Sequence, residues 1–578
     1  MRPPRRTLPH LRPTPKMRRN PSGTLSPSVQ RTGLLLLAGL IHTLAFAPGP
    51  LPAWALPFVQ LLTLSVLCIH VWRSAGPRQA AWSGFAFGLG NFALGLYWLH
   101  TSMHVYGGMP WALAAVAVLL LAAFEALFIA GASALAYWLG RSSHIAPSPE
   151  RPQSPGRLRR LALFLPPLLW ACAWTAAEWL RGTLFTGFPW LNIGYAHVDG
   201  YLAGWAPVLG TYGVAWLAAY SAGALAALYL QSDGKDARNG LPPFALAALL
   251  GIGGLLLAQV RWYSDHGEPM VVRLVQGNIP QSQKFDPLLI QQGMNTYHHL
   301  ASLPPRQESH VPDLIVLPET VIPMPQDRLP AEQWQRWLDI AAASDATLML
   351  GVPLHDRSQG IDRYTNSVIA FDGGSTPDEL QQGQTAMRYD KHHLVPFGEF
   401  IPPGFRWFVE TMQIPLGDFA RGELRQELFP IKGQVVAPNI CYEDVFGEEI
   451  LHAVRPSETL GPGASLLINL SNLAWFGDSW ALRQHLQIAR MRSLETARPM
   501  LRATNTGATA VIAPDGAVRM ALPAMTPGVI DAEVQGTQGL TPYVRAGNLP
   551  ILLLSWGVLA ALLARRLRAR SRQGAPFS

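Results

Sequence analysis

Long apolar runs broken by short polar connections fill the first 262 residues of the chain, and the pattern then changes. Runs rich in Leu, Ala, Gly and Trp fall near 33–47, 54–72, 83–103, 111–139, 161–181, 205–231 and 243–262, and an eighth lies at 548–564. A helix needs roughly 20 mostly apolar residues to cross the hydrocarbon of a bilayer, so the pattern predicts eight spans. The first run is short, and Ala45-Phe46-Ala47 at its end has the small-residue form of a signal-peptide cleavage site. Pro48 and a second apolar run follow at once, which favours a retained helix.

The polar connections orient these spans. Arg73 and Arg78 lie between the second and third, Arg141, Arg151, Arg157, Arg159 and Arg160 between the fourth and fifth, and Lys235 and Arg238 between the sixth and seventh. The opposite connections, 48–53, 104–110 and 183–204, carry no Lys or Arg. Short connections rich in Lys and Arg stay in the cytoplasm, so both ends are expected there and the long polar segment 263–546 faces outward. Trp98, Trp111, Trp179, Trp190 and Trp205 fall near span ends, where aromatic rings favour the membrane interface.

Composition agrees with the pattern. Charged residues make up 14% of the chain and hydrophobic ones 49%, against about 25% charged in a soluble protein. The net charge of +8 comes from the two ends: residues 1–32 hold eight Lys/Arg and no acid, and five Arg follow from Arg565. Elsewhere acidic residues outnumber basic ones. A basic tail suits nucleic acid or anionic lipid, and beside membrane spans lipid is the better partner. The expected organisation is a basic disordered cytoplasmic tail (1–32), a membrane domain of seven spans (33–262), an outer domain (263–546), a last span (547–566) and a basic cytoplasmic tail (567–578).

The outer segment reads as strands alternating with helices. Strand-like runs are Val271–Val275, Leu314–Leu317, Thr347–Val352, Gln434–Ala437, Ser465–Leu470 and Ala508–Ile512, the last able to pair with a neighbour across Pro514-Asp515-Gly516. Helical patterns cover 331–344 and 480–498. This alternation predicts a layered α/β domain. Three polar residues stand at strand ends or in loops after strands: Glu319, Lys391 and Cys441. Taken singly, each has a plain structural reading, as a surface carboxylate, a solvated charge and a core thiol. Together they make a chemical set, because a thiol needs a base to become a nucleophile and a nearby ammonium stabilises the anions that follow. Cys68 and Cys172 lie in apolar runs, which leaves Cys441 as the single thiol of the polar segment and rules out a disulfide within it.

The surroundings of these three residues carry a resemblance. Leu317-Pro318-Glu319-Thr320, the stretch Tyr389-Asp390-Lys391-His392-His393-Leu394-Val395-Pro396-Phe397-Gly398-Glu399, and Ile440-Cys441-Tyr442-Glu443 resemble the base, lysine and nucleophile motifs of the nitrilase superfamily. With Gln276–Gln281, Trp475-Phe476-Gly477, Arg502–Gly507, Tyr97-Trp98 with Thr101-Ser102, and the membrane block Glu178–Gly182, Gly187–Trp190 and Gly194-Tyr195, the chain from about residue 33 resembles the apolipoprotein N-acyltransferase family. Two positions depart from its pattern. Leu473 stands where an Asp is usual, and Phe285 follows Lys284 where a Trp is usual.

The resemblance implies an αββα sandwich on the outer face of a bacterial inner membrane, with both termini cytoplasmic, and a two-step acyl transfer. Cys441, deprotonated by Glu319, would take a fatty acyl group from a phospholipid, phosphatidylethanolamine being the typical donor. It would pass that group to the α-amino group of an S-diacylglyceryl cysteine at the N-terminus of an apolipoprotein. Lys391 would face the oxyanion, Glu399 would orient Lys391, and Tyr442 and Glu443 would shape the nucleophile's turn. His392 and His393 are expected to be structural. The enzyme is expected to act as a monomer without cofactor, metal or nucleic acid. The apolar stretch 400–417 is expected to form a lipid-contacting arm. The competing readings are a membrane-tethered amidase or nitrile hydrolase with the same three residues, and a transporter or scaffold, in which Cys441 would be dispensable. Of the few ionisable residues in the spans, Glu125 and Glu178 with Arg181 at a span end, Glu178 and Arg181 could pair one helical turn apart and be simply structural.

Overall fold

The computed structural model describes residues 26–46, 50–142, 160–232, 237–305, 311–357, 360, 362–404, 406, 418–458 and 461–572. Seven helices form the first half of the described chain: α1 Pro27–Thr43, α2 Leu56–Trp72, α3 Pro77–Gly95, α4 Trp111–Ser142, α5 Leu165–Thr183, α6 Ala206–Gln231 and α7 Leu241–Leu257. Among the described residues six helices, namely α1, α2, α4, α5, α6 and the C-terminal one, are long and apolar enough to cross a membrane by length and composition, α1 and α2 together with the short 3-10 turns that adjoin them. α7 is apolar but has 17 residues and no such extension, and α3 has the length without the hydropathy.

The third span differs most from expectation. It begins at Pro77 and ends at Gly95, several residues before the predicted 83–103, and the chain then turns through Leu99–Tyr106. Its low hydropathy reflects its place inside the bundle, packed between α1 and α4. Small residues permit that approach: a Cβ at Gly39 would lie 2.0 Å from the carbonyl oxygen of Phe87, and one at Gly90 would lie 2.3 Å from that of Leu36. Helices in lipid gain contact area in this way, because hydrophobicity alone does not hold them together.

The second half is a four-layer sandwich. Its strands are β1 Ser264–Asp265, β2 Met270–Gln276, β3 Leu314–Val316, β4 Thr347–Asp356, β5 Arg363–Phe371, β6 Met387–Asp390, β7 Phe429–Ile431, β8 Gln434–Ile440, β9 Leu466–Ser471, β10 Met500–Thr504, β11 Ala510–Ile512, β12 Val518–Ala521, β13 Gly528–Val534 and β14 Thr537–Gln538. One six-stranded sheet runs β13-β2-β3-β4-β5-β6 and the other β12-β11-β10-β9-β8-β7, while β1 pairs with β14. The alternating faces of both sheets meet in a shared core that includes Val272, Leu274, Val316, Ile440, Ile468 and Leu501. The outer face of the first sheet is covered by α8 Ile290–Ala301 and α9 Ala331–Ser344. In α9, Trp334, Trp337, Leu338 and Ala341 recur at helical spacing and are buried. The second sheet is covered by α10 Gly447–Val454 and α11 Trp480–Thr496. Residues 508–521 form the antiparallel β11–β12 pair across Pro514–Gly516, as their turn chemistry predicts.

The last helix, α12, spans Leu549–Arg572, so the arginines from 567 to 572 are helical rather than a loose tail. At the other end α1 begins at Pro27, inside the stretch expected to be an unstructured tail, and residues 1–25 lie outside those described.

α11 joins the two halves. It is polar in sequence yet buried along most of its length, with Gln484, His485, Gln487, Arg492 and Glu495 each at most 2% exposed. Each bonds to another element. Gln484 Oε1 accepts from the indole N–H groups of Trp98 (3.1 Å) and Trp190 (2.8 Å), and Gln487 donates to the Ala45 carbonyl at 3.3 Å. Glu495 Oε1 accepts from the main-chain N–H of Thr211 at 2.6 Å, and its other oxygen lies 3.1 Å from Arg492. Trp98 and Trp190 are therefore covered by the sandwich and do not sit at a lipid interface; their N–H groups have a buried acceptor there. The sandwich rests on the end of the bundle whose connections carry no Lys or Arg. Removing one partner of a buried ion pair leaves the other charge uncompensated, at a cost of about 3–5 kcal/mol. Glu495→Ala is expected to lower the thermal unfolding midpoint of the detergent-solubilised protein markedly, with Glu495→Gln between it and the wild type.

Candidate active site

Cys441, Lys391 and Glu319 follow three strands of the two sheets. Glu319 comes after β3 and Lys391 after β6, both in the first sheet, and Cys441 after β8 in the second. The strands end on one side of the sandwich, so the loops meet there. The Glu319 loop fits closely, since a Cβ on Gly351 of the neighbouring β4 would lie 2.7 Å from the Glu319 Cα. Cys441 has φ +52°, a left-handed conformation at the sharp change from strand to 3-10 turn. That costs on the order of 1–3 kcal/mol for a residue with a side chain, and it persists only where surrounding structure holds it.

Lys391 is 1% exposed and its ammonium lies 2.9 Å from Glu399 Oε1 and 3.4 Å from Glu319 Oε1. Asn366, on β5, bridges the same two carboxylates, donating to Glu319 Oε1 at 2.8 Å and to Glu399 Oε1 at 2.6 Å. The remaining oxygens are also taken. Glu399 Oε2 accepts from the Val395 N–H at 2.8 Å, and Glu319 Oε2 from the Asn472 N–H at 2.9 Å. Burial alone would lower the Lys391 pKa, but Glu399 and then Glu319 outweigh it and hold the ammonium charged. The Cys441 thiol is pushed well up by burial and then by Glu319, with Lys391 pulling the other way. At neutral pH it rests as a thiol, so a base must take its proton as it attacks.

Glu443 ties the loops together. Its carboxylate accepts from the N–H groups of Ile440 (2.7 Å), His392 (2.7 Å) and His393 (3.1 Å) and from the Tyr389 hydroxyl (3.0 Å). One side chain thus fixes the nucleophile's turn against the residues that flank Lys391. Burial pushes the Glu443 carboxyl up to about 7, opposed by those N–H groups and by Lys391. Tyr442 points toward the membrane half, donating to the Gly187 carbonyl at 3.2 Å with its ring stacked near Phe188 and Trp190. His393 pairs with Glu449 at 2.8 Å and stacks on Phe446, and His392 bonds the Gly422 carbonyl at 2.8 Å.

Six residues, Glu319, Lys391, Cys441, Glu399, Tyr442 and Glu443, thus gather as the motifs suggest, while Glu178 and Arg181 do not pair as expected. Glu178 accepts from the Ile193 N–H at 3.0 Å, and Arg181 reaches the Trp190 carbonyl at 2.7 Å and Glu125 at 3.7 Å, so both hold the connection after α5 in place. Sequence reasoning missed Asn366, which lies inside a strand with no motif around it, and the buried trio behind the nucleophile. In that trio Asp444 takes His485 at 2.6 Å and Arg502 at 2.7 Å, and Arg502 also donates to His485 at 2.9 Å. Of the apolar stretch 400–417, residues 405 and 407–417 lie outside those described.

Comparisons with known proteins show the family. Residues 38–224 match the apolipoprotein N-acyltransferase N-terminal domain, and residues 271–543 match the carbon-nitrogen hydrolase domain. Apolipoprotein N-acyltransferase of Bordetella bronchiseptica is 51% identical over 95% of this chain and 100% of its own length. The chain belongs to the apolipoprotein N-acyltransferase family. The family members of Ralstonia nicotianae and Nitrosomonas europaea are 46% and 40% identical, over 93% and 92% of this chain and 94% and 98% of theirs. Among solved structures, an amidase from Nesterenkonia sp. is 18% identical over 50% of this chain and 97% of its own, with a TM-score of 0.34. The chain is a membrane protein and an acyltransferase of this family, with a nitrilase-like α/β domain.

In this acyltransferase fold, the Glu443 carboxylate faces only donors. Glu443→Gln would set an amide N–H against a main-chain N–H and unseat the turn. It is expected to cut kcat by about 100-fold, within the range that loss of positioning costs, while Cys441 remains open to alkylation. Wild-type turnover in this variant would show that the turn is held by other means.

Proposed function

We propose that the protein transfers a fatty acyl group from a phospholipid to the α-amino group of the S-diacylglyceryl cysteine at the N-terminus of an apolipoprotein, through a thioester on Cys441. The observation that carries this reading is the meeting of Glu319, Lys391 and Cys441 in one buried cluster that rests on a membrane bundle. The names of the relatives agree with the acceptor.

Cys441 Sγ attacks the ester carbonyl while Glu319 takes the thiol proton. The Lys391 ammonium faces the oxyanion that develops. Collapse breaks the ester bond, Glu319 returns the proton to the leaving alkoxide, and a lysophospholipid departs. The free amine of the acceptor then attacks the thioester carbonyl and yields its proton to Glu319, and the Cys441 thiol is restored. Phosphatidylethanolamine is the expected donor. A thioester survives such a wait only where water is scarce, which a cluster buried against a bilayer provides.

Arginine-bearing connections on one side of the bundle and bare ones beneath the sandwich support an orientation with both termini in the cytoplasm and the catalytic half outside the inner membrane. A membrane-tethered amidase would share the cluster but gives no reason for a bundle of this size. Mass spectrometry of the protein in phospholipid micelles tests the thioester. A hydroxylamine-sensitive fatty-acyl mass is expected on the Cys441 peptide and absent in Cys441→Ala. No adduct on folded wild-type protein would overturn the mechanism.

A further inference from the structure

Only five of the chain's 45 basic residues are lysines, and two of the five, Lys284 and Lys391, are buried in the active-site cluster. Lys391 has its two carboxylates, whereas the acyl-transfer steps above leave Lys284 without a part. Lys284 closes the one-turn helix Gln281–Lys284, is 4% exposed, and donates to the main-chain carbonyl of Glu319 at 3.0 Å. The same turn reaches the base from a second direction. Gln281 Oε1 accepts from Asn472 Nδ2 at 2.9 Å, and the Asn472 N–H holds Glu319 Oε2. Asn472 is held in turn by Asn505 Nδ2 at 3.0 Å.

The charges of the cluster leave room for a second cation. Glu319 and Glu399 together already match Lys391 twice over. Two carboxylates against one ammonium leave one net negative charge, and passing the Cys441 proton to Glu319 moves that charge onto sulfur without changing the sum, so Lys391 alone does not balance it. The charged or titratable groups whose field reaches Lys284 are Glu319, from the loop after β3, whose carbonyl it touches, and Cys441, from the turn after β8. Asp286, on its own segment, is engaged by the Leu288 N–H. We propose that Lys284 is a positioning residue of the acyl-transfer site, holding the Glu319 loop through its main chain and, when protonated, supplying the second positive charge that makes the Cys441 thiolate accessible.

This role rests on Cys441 being the nucleophile. Burial lowers the Lys284 pKa to about 7, against the pull of Glu319 and then Cys441, so the charge is present below neutrality and is lost as pH rises through that value. A lysine that titrates there makes nucleophile reactivity depend on pH in a way that a lysine serving only to pack would not.

Iodoacetamide alkylation of Cys441, followed by peptide mass spectrometry from about pH 6 to about pH 9, tests this in wild type, Lys284→Met and Lys284→Arg, with Cys441→Ala as the blank. At the acid end the Met variant is expected to react about tenfold more slowly than wild type, the size of a one-unit shift in the thiol. The Arg variant, which stays charged throughout, should match wild type there and outpace it as Lys284 loses its proton, while wild type falls toward the Met variant. A constant ratio between the variants across the range would overturn the proposal and leave Lys284 a packing residue. Should the Met variant fail to fold, the Arg-to-wild-type ratio decides alone: a rise with pH supports the proposal and a flat ratio refutes it. Absence of label on Cys441 in wild type would instead refute the nucleophile assignment.

Discussion

The buried ammonium of Lys391, shared between Glu399 and Glu319, is the constraint around which the catalytic half is built. An unpaired ammonium in this interior would be expelled or neutralised, since burial of a lone charge costs far more than folding can spare. Two carboxylates keep it charged, and Asn366 holds both of them at once. The loop after β3, the loop after β6 and strand β5 therefore meet at this one point of the first sheet. Pairing of this kind adds little to net stability, but it fixes geometry, and here it fixes base and ammonium together beside the thiol.

A second constraint follows from the first. Cys441 stands on the opposite sheet, and nothing in its own strand sets its distance from Lys391. Glu443 does so, by gathering main-chain N–H groups from both loops. Behind it, Asp444, His485 and Arg502 support the turn from within α11 and β10. α11 carries the same logic into the membrane half, where its polar side chains bond to Trp98, Trp190, Ala45 and Thr211. The nucleophile is thus linked to the helix ends by continuous hydrogen bonding, and Tyr442 adds a direct contact to the Gly187 turn.

Much of this was legible in the chain. Long apolar spans announce themselves by composition, and α9, with its tryptophans at helical spacing, has the bounds its pattern predicts. Strands β2, β3, β8 and β9 are mostly apolar and buried along nearly their whole length, because both of their faces are covered. Strands β5 and β6 escaped notice because polar residues such as Thr365, Asn366 and Asp390 serve the site and break the alternation. α3 was placed late because its glycines and Asn91 dilute a hydropathy that a helix inside a bundle does not need.

Taken alone, the sequence determined the two-part organisation, the bundle's charged and bare ends, and the identity of Glu319, Lys391 and Cys441 as a set, because hydropathy, charge and local motifs are properties of neighbouring residues. Tertiary structure decided which carboxylate each cation meets. Arg181 turns to Glu125 rather than Glu178, Asn366 joins Glu319 to Glu399, and Lys284 lies under the base loop. These partners are separated by tens to hundreds of residues, and a buried polar group takes whichever partner the packing of distant elements brings within hydrogen-bond reach.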